Sequence, residues 1–241
     1  MKFEADDPRR RLLIQMLAAG FFSGSAASQE ALAQILGSPP SKLPEGKSVY
    51  RISGDVTVDG KKADLTTKIG GGSTITTGRD SELVYAVGES AYIARPNTQI
   101  IVETSAQEAS VVTGLRLLAG KLLSVFPSRR PVQLQTRTAS IGIRGTGVYL
   151  ETDPEQTYFC TCYGVADVAS QDDPTSKETV AASHHDRPLY IVAGQPAGKA
   201  IRNAPFINHT DQELMLVETL VGRQPPFVFP KSDYTGPRRS Y

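Results

Sequence analysis

The sequence predicts an all-β fold, either a sandwich or roll or a solenoid-like domain, followed by an extension with one short helix. Between residues 47 and 170, apolar β-like runs alternate with turn residues at spacings of roughly 8–12 residues, which is typical of all-β domains. No sustained helical periodicity interrupts these runs. Glycine and proline, at 21 and 16 of the 241 residues, are somewhat more frequent than in an average chain, which suits a fold with many turns.

Residues 1–27 have the layout of a secretory signal peptide. Arg9–Arg11 form a positively charged region, Leu12–Phe22 form an apolar run, and small residues follow as far as Ala27. The apolar run is shorter than the roughly 20 residues that a membrane-spanning helix needs, so we expect no permanent membrane span. Because Pro8–Leu13 resembles a twin-arginine export signal, we predict a periplasmic or otherwise exported protein. A basic amphipathic helix that stays on the protein is the alternative.

The composition and the motifs argue against several functions. The chain has 26 basic and 25 acidic residues and a formal net charge of +1, without a basic block. It therefore offers no electrostatic basis for binding nucleic acid or an anionic membrane surface. The sequence contains neither a nucleophile elbow with a Ser-His-Asp order nor a phosphate-binding loop of the Walker type. We therefore predict that the protein is not an enzyme.

Three segments follow the predicted leader. Residues 28–46 hold three prolines among small polar residues and are predicted to form a linker. Residues 47–170 form the predicted β domain. Residues 171–241 form a C-terminal extension that ends in a proline-rich tail.

One helix is expected within the extension, at about residues 211–221. Thr210 is suited to be its N-cap, and Glu213 stands three residues later, as in a capping box. An apolar stripe at helical spacing follows, and Gly222 ends it. The stripe consists of Leu214, Leu216, Val217, Leu220 and Val221.

The chain has two cysteines, Cys160 and Cys162, separated by one residue in a β-like run. Strand alternation puts both sulfur atoms on one face, together with Tyr158, and puts Phe159, Thr161 and Tyr163 on the other. In a regular strand their Cα atoms lie about 6.6 Å apart, from two rises of roughly 3.3 Å. Disulfides prefer roughly 5.5–6 Å, so this spacing suits two thiolates that hold one ion better than a bond between them.

All three histidines, His184, His185 and His209, follow the cysteine pair. Two thiolates and two imidazoles can complete a tetrahedral zinc site, and the soft sulfur ligands also suit copper(I). Asp186 is expected to orient a ligating imidazole. Two alternatives stay open for the cysteine pair: a disulfide, which is common in exported proteins, and reduced thiols that serve as small apolar residues.

Four motifs in the β-like region occur in a recognisable order. They are Gly54–Gly60, Gly72–Ser81, Ala91–Thr98 and Thr138–Tyr149. Together they resemble the FecR domain, the periplasmic sensor part of iron-transport regulators and of many stand-alone exported proteins. The resemblance covers residues 49–169, about half of the chain, and implies a FecR-type β fold.

The last motif contains Arg144, Gly145 and Thr146, which resemble the Arg-Gly-Thr signature of the family. We expect Ile141 and Ile143 to share a face, and Arg144 to begin a turn at Gly145. The Arg144 guanidinium is expected to cap strand-end carbonyls or to pair with a carboxylate rather than to bind a ligand.

The resemblance implies an exported binding or signalling module that recognises an envelope protein or a cell-wall polymer. Family members that act as anti-sigma regulators have a cytoplasmic region and a membrane span before the sensor domain. Only about eight residues precede Arg9 here, so we do not expect direct control of a sigma factor. The alternatives are a metal-binding or redox-responsive periplasmic protein that uses the cysteines and histidines, and a structural scaffold of the envelope.

Overall fold

The computed structural model describes residues 40–227, which form one sheet of 14 strands and one α-helix. The all-β fold with one short helix is therefore confirmed. The predicted signal peptide, most of the predicted linker and the tail beyond residue 227 lie outside the described residues. The strands are β1 (Val49–Ser53), β2 (Val56–Val58), β3 (Lys61–Lys62), β4 (Thr74–Thr77), β5 (Glu82–Val87), β6 (Ser90–Ala94), β7 (Gln99–Thr104), β8 (Val112–Val125), β9 (Pro131–Gln135), β10 (Ala139–Thr152), β11 (Gln156–Ser170), β12 (Lys177–Ala182), β13 (Leu189–Val192) and β14 (Ile201–Asn203), and the helix α1 is Asp211–Leu220.

The sheet is divided into two layers by its three long strands, β8, β10 and β11. Layer A has the order β1-β5-β6-β8-β10-β11-β13-β14 and uses the second halves of β8 and β10 and the first half of β11. Layer B has the order β3-β2-β4-β7-β8-β9-β10-β11-β12 and uses the other halves. All pairings are antiparallel except β8 with β9. This topology is a sandwich or roll rather than a solenoid.

The main core lies between the two layers, where alternate side chains of both layers form one apolar cluster. On β5, for example, Leu83 and Tyr85 belong to this core, whereas Val84 and Ala86 belong to a second cluster on the outer face of layer A. Strands β5 and β6 are therefore buried almost throughout. The outer face of layer B carries the polar members of the alternating pattern, as β9 illustrates.

The outer face of layer A is covered by residues 204–227, which we call the cover segment. It contains α1, whose Leu214, Val217 and Leu220 are buried in the second cluster. Thr210 is the N-cap and forms the expected capping box with Glu213. Residues 177–203, which the sequence assigns to the extension, add three strands to the sheet. No helix among residues 40–227 combines the length and the apolar character needed to cross a membrane.

The family-signature strand differs from its prediction at one point. Ile141 and Ile143 both face the main core, as expected. The turn expected at Gly145 is wrong, because β10 continues through this position with a β-bulge. Gly145 has a φ of 59°, and the register with β11 shifts between Arg144 and Gly147. An extra residue in a strand is accommodated in this way without ending the ladder.

Candidate metal centre

Four of the five predicted metal ligands meet on the outer face of layer A. Cys160 and Cys162 lie on β11, His185 lies between β12 and β13, and His209 immediately precedes the N-cap of α1. Their sulfur and ring nitrogen atoms all lie within 4.8 Å of one another. All four residues are buried.

The cysteine pair shares a face because β11 is regular as far as Thr161. Cys160 and Cys162 lie in the outer cluster with Tyr158, whereas Phe159 faces the main core, as strand alternation predicts. The prediction that Tyr163 lies on the face opposite the cysteines is wrong, because Tyr163 lies in the outer cluster with them. The register shifts there, since Thr161 and Tyr163 pair with consecutive residues of β10.

Two distances between ligand atoms, both from His185 Nδ1, fit a tetrahedral ion. With zinc bonds of about 2.3 Å to sulfur and 2.05 Å to nitrogen, tetrahedral geometry separates a sulfur and a nitrogen by about 3.6 Å and two nitrogens by about 3.3 Å. Cys160 Sγ lies 3.5 Å from His185 Nδ1, and His185 Nδ1 lies 3.2 Å from His209 Nε2. Both separations agree with the zinc geometry.

The second nitrogen of each ring has a hydrogen-bond acceptor that fixes its tautomer. His185 Nε2 lies 2.9 Å from a carboxylate oxygen of Asp211, and His209 Nδ1 lies 2.7 Å from the carbonyl oxygen of Ile207. Because these oxygens can only accept while Asp211 is ionised, the two nitrogens carry protons. In the neutral rings, His185 Nδ1 and His209 Nε2 therefore direct their lone pairs into the centre, as metal-binding imidazoles do.

The orienting carboxylate is Asp211, and the prediction of Asp186 for this role is wrong. Asp186 accepts hydrogen bonds from the backbone N–H and hydroxyl of Ser183, at 2.6 and 2.9 Å, and so stabilises its own turn. Asp211 is fully buried as the first residue of α1. Hydrogen bonds from both His185 and His184 outweigh burial and hold the pKa of Asp211 below its usual value.

The fifth predicted ligand, His184, lies beside the four-residue cluster. Its Nε2 is 2.9 Å from a carboxylate oxygen of Asp211, and its side chain is 36% exposed. With His185 and Asp211 it forms a second, smaller group of ligand atoms. In this position, His184 helps to hold the carboxylate that orients His185.

The hydrogen bonds within the four-residue cluster favour the thiolate form of Cys160. Burial raises the pKa of the Cys160 thiol, but hydrogen bonds with Cys162, His185 and His209 outweigh burial and hold this pKa well below its usual value. Burial and the neighbouring Cys160 raise the pKa of Cys162. Burial lowers the pKa of His185, but hydrogen bonds with Asp211 and Cys160 outweigh it and raise this pKa to about 9. These shifts favour a thiolate at Cys160 beside a protonated His185, and a metal ion bound there would displace the proton.

Aromatic rings form the wall of the centre. The His209 ring stacks on Tyr149, with 4.5 Å between their centroids, and meets Phe206 edge-on at 4.5 Å. Phe206 also lies 4.3 Å from the His185 ring. These contacts exclude water from the ligand atoms and limit rotation of both imidazoles.

In the structure, Cys160 and Cys162 are unbonded to each other and buried. The family-signature residues do not belong to the four-residue cluster. Arg144 is exposed and lies 3.5 Å from Asp167, so it pairs with a carboxylate. Gly145 occupies the bulge, and Thr146 is fully buried.

Replacement of Asp211 by Asn is expected to weaken zinc binding about 10–100-fold, because the amide no longer provides the anionic acceptor that orients His185. Competition with a chromogenic chelator measures the affinity. Asp186→Asn is the matched control and should leave the affinity unchanged, because Asp186 contacts its own turn. Equal affinities for wild-type protein and Asp211→Asn would contradict this role.

Comparisons with known proteins leave the family open. No protein-family model matches the chain, and no curated protein matches it. Two crystal structures of a candidate anti-sigma factor from Parabacteroides distasonis ATCC 8503 are similar to it. The structure at 2.50 Å resolution has 11% sequence identity and a TM-score of 0.44, and the match covers 61% of this chain and 73% of that chain. The structure at 1.65 Å resolution has 12% identity and the same TM-score, with coverages of 65% and 80%. Membership of the FecR family therefore stays a prediction.

Proposed function

We propose that this chain is a metal-binding protein with a Cys₂His₂ centre formed by Cys160, Cys162, His185 and His209, and that the bound ion is zinc. The observation that carries the proposal is the convergence of four buried ligand atoms within 4.8 Å of one another, with the separations of His185 Nδ1 from Cys160 Sγ and from His209 Nε2 at tetrahedral values. The acceptors on the outer nitrogens of both imidazoles support it, because a coincidental cluster would not require them.

The centre has the properties of a structural site. Four protein ligands complete the coordination of zinc and leave no position for water or a substrate. The ligands are also buried, so an ion held there is shielded from solvent. Both features are typical of structural rather than catalytic zinc sites. Copper(I) is the alternative ion, since it also favours thiolates.

A redox-responsive role is the second candidate, and the low pKa of Cys160 favours it, because the thiolate is the reactive form. The burial of both cysteines counts against it, since oxidants reach exposed thiolates. Thiol titration of the folded, metal-free protein separates the two roles. A reactive redox pair should react rapidly without unfolding, whereas a buried metal centre should react slowly.

Export and recognition of an envelope partner are proposals that rest on the sequence. The twin-arginine-like Pro8–Leu13 supports export, and the FecR-like motifs support a binding or signalling role in the envelope. Fractionation of cells that express the full chain tests export. The protein is expected outside the cytoplasm, and replacement of Arg9 and Arg10 by Lys should retain it inside.

The full chain, purified without chelators and incubated with excess zinc, is expected to retain about one equivalent of zinc after dialysis. Elemental analysis measures the retained zinc, and the same analysis of protein purified without added metal distinguishes zinc from copper. Cobalt(II), used in place of zinc, should give the visible absorption of a tetrahedral ion and charge-transfer bands from thiolate ligands.

Two single substitutions on the same strand serve as test and control. Cys160→Ser removes one of the two thiolates, which bind zinc more strongly than imidazole, so it should lower the zinc retained after dialysis and weaken the charge-transfer bands. Thr161→Ser should leave both unchanged, because Thr161 is buried on the opposite side of β11. Retention of less than about 0.2 equivalents by the wild-type protein would contradict the proposal.

A further inference from the structure

The ligands of the proposed metal centre come from two different parts of the fold. Cys160 and Cys162 belong to β11, and His185 is tied to the same strand because its backbone N–H donates to the carbonyl oxygen of Cys162 at 2.9 Å. His209 belongs to the cover segment. A single ion bound by all four residues therefore joins the cover segment to layer A.

The cover segment is attached mainly through side chains; two backbone hydrogen bonds also join it to the rest of the fold, from the N–H of Ala204 to the carbonyl oxygen of Pro188 at 2.8 Å and from the N–H of Leu43 to the carbonyl oxygen of Leu220 at 2.9 Å. Its helix α1 has 10 residues, a length at which an isolated helix is marginal in water. The helix is not hydrogen-bonded into the sheet as a strand would be. It packs on the outer face of layer A through Leu214, Val217 and Leu220. Its position therefore depends on packing and on polar contacts that can be broken one at a time.

The polar contacts of α1 fall at its two ends. At its beginning, Asp211 contacts His185, and Glu213 accepts a hydrogen bond from the buried Arg95 at 2.9 Å. At its end, Glu218 contacts Tyr163 and Arg223. The candidate metal centre lies at the beginning of the helix. Metal occupancy therefore bears directly on the contacts that hold this end of the helix on layer A.

We infer that metal binding governs the docking of the cover segment: the ion acts as a latch that holds the beginning of α1 on layer A through His209. This inference rests on the proposed metal-binding function. In the metal-free protein, the contact between His185 and His209 is one hydrogen bond with a shared proton at most. In the loaded protein, two coordination bonds to the same ion replace it, and the docked state is favoured by the ratio of the metal affinities of the docked and undocked states.

Hydrogen exchange followed by mass spectrometry tests the latch on the full chain, with zinc bound and after removal by a chelator. Metal removal is expected to speed amide exchange in residues 204–217 by about tenfold or more, as local opening becomes easier. Peptides from residues 139–144, which form part of layer B, serve as the internal reference and should not change.

His209→Ala separates the latch from metal binding. Three ligands remain on the sheet side, so the variant should still bind cobalt(II), with lower affinity. Exchange in its cover segment should be fast whether or not metal is present. Protection of this segment by zinc in His209→Ala, equal to that in the wild-type protein, would overturn the latch.

Glu218→Gln is the control variant: it weakens the attachment of the cover segment at the C-terminal end of α1, away from the metal centre. It removes the carboxylate that contacts Tyr163 and Arg223, so exchange should rise in both states. Zinc should still slow the exchange by the same factor as in the wild-type protein. An unchanged cover segment in wild-type protein shown to have lost its zinc would overturn the latch and leave the proposed function intact. Failure of the wild-type protein to bind metal at all would instead overturn the proposed function.

Discussion

Removal of zinc by a chelator is expected to lower the melting temperature of the full chain by about 8–16 °C. A ligand that binds only the folded state contributes about 4 kcal/mol when its free concentration is 1,000 times its Kd. In a chain of this size, each kcal/mol changes the melting temperature by roughly 2–4 °C. Thermal unfolding followed by circular dichroism, with and without chelator, measures the change.

The expected effect is large because the unfolded chain cannot reproduce the centre. The ligand residues span positions 160 to 209, and they meet only when β11, the turn before β13 and the cover segment are all in place. The binding free energy therefore adds to the free energy of folding. The burial of the ligands further limits exchange of the ion in the folded state.

The double variant Cys160→Ser/Cys162→Ser is the control for this experiment. It should melt at a lower temperature than zinc-loaded wild-type protein and should not respond to the chelator. If the wild-type protein loses its zinc, as elemental analysis would show, and keeps its melting temperature, the ion does not stabilise the fold. A chelator effect of equal size on the double variant would show that the chelator acts elsewhere.

The part of the site that the sequence predicted is the part that a single strand determines. Alternation along β11 places Cys160 and Cys162 on one face and Phe159 on the other, because successive side chains of a strand point to opposite sides. The sequence also named His185 and His209 as candidates. It could not show that these two meet the cysteines while His184 lies beside them, because that outcome depends on non-local packing.

The orienting carboxylate was missed because proximity along the chain was taken as proximity in space. Asp186 is next to His185 in the sequence, but its oxygens accept hydrogen bonds from its own turn. Asp211 follows Thr210, which the capping-box pattern had identified as the start of a helix. The first residue of a helix that begins next to His209 was therefore a candidate that the sequence could have supplied.

The bulges were the least predictable feature of the fold. Gly145 was predicted as a turn, but β10 continues through it as a long strand, and the register between β10 and β11 shifts on both sides of Gly147. Long strands that serve two layers need local changes of register, and glycine permits them. As a result, the sequence predicted the all-β class and not the sharing of β8, β10 and β11 between the two layers.

Replacement of Gly164 by Ala is expected to lower the free energy of unfolding by about 2–5 kcal/mol. Gly164 has a φ of 94°, which L-residues avoid at a cost of roughly 1–2 kcal/mol. An added Cβ would also lie 2.6 Å from the carbonyl oxygen of Gly145 and 2.4 Å from Cγ2 of Thr146. Such overpacking, and the backbone shifts that it forces, destabilises the fold by about 1–3 kcal/mol more. Urea unfolding measures the change.

Gly60→Ala is the matched control, because Gly60 also has a positive φ, 74°, but an added Cβ there has no atom within 4 Å. Its expected cost is the conformational share alone, about 1–2 kcal/mol. An equal loss in both variants would show that the close contact between Gly164 and Gly145 is not maintained in solution. A larger loss in Gly164→Ala, with weaker zinc binding, would show that the bulge next to Cys162 positions the metal ligands as well as the strand.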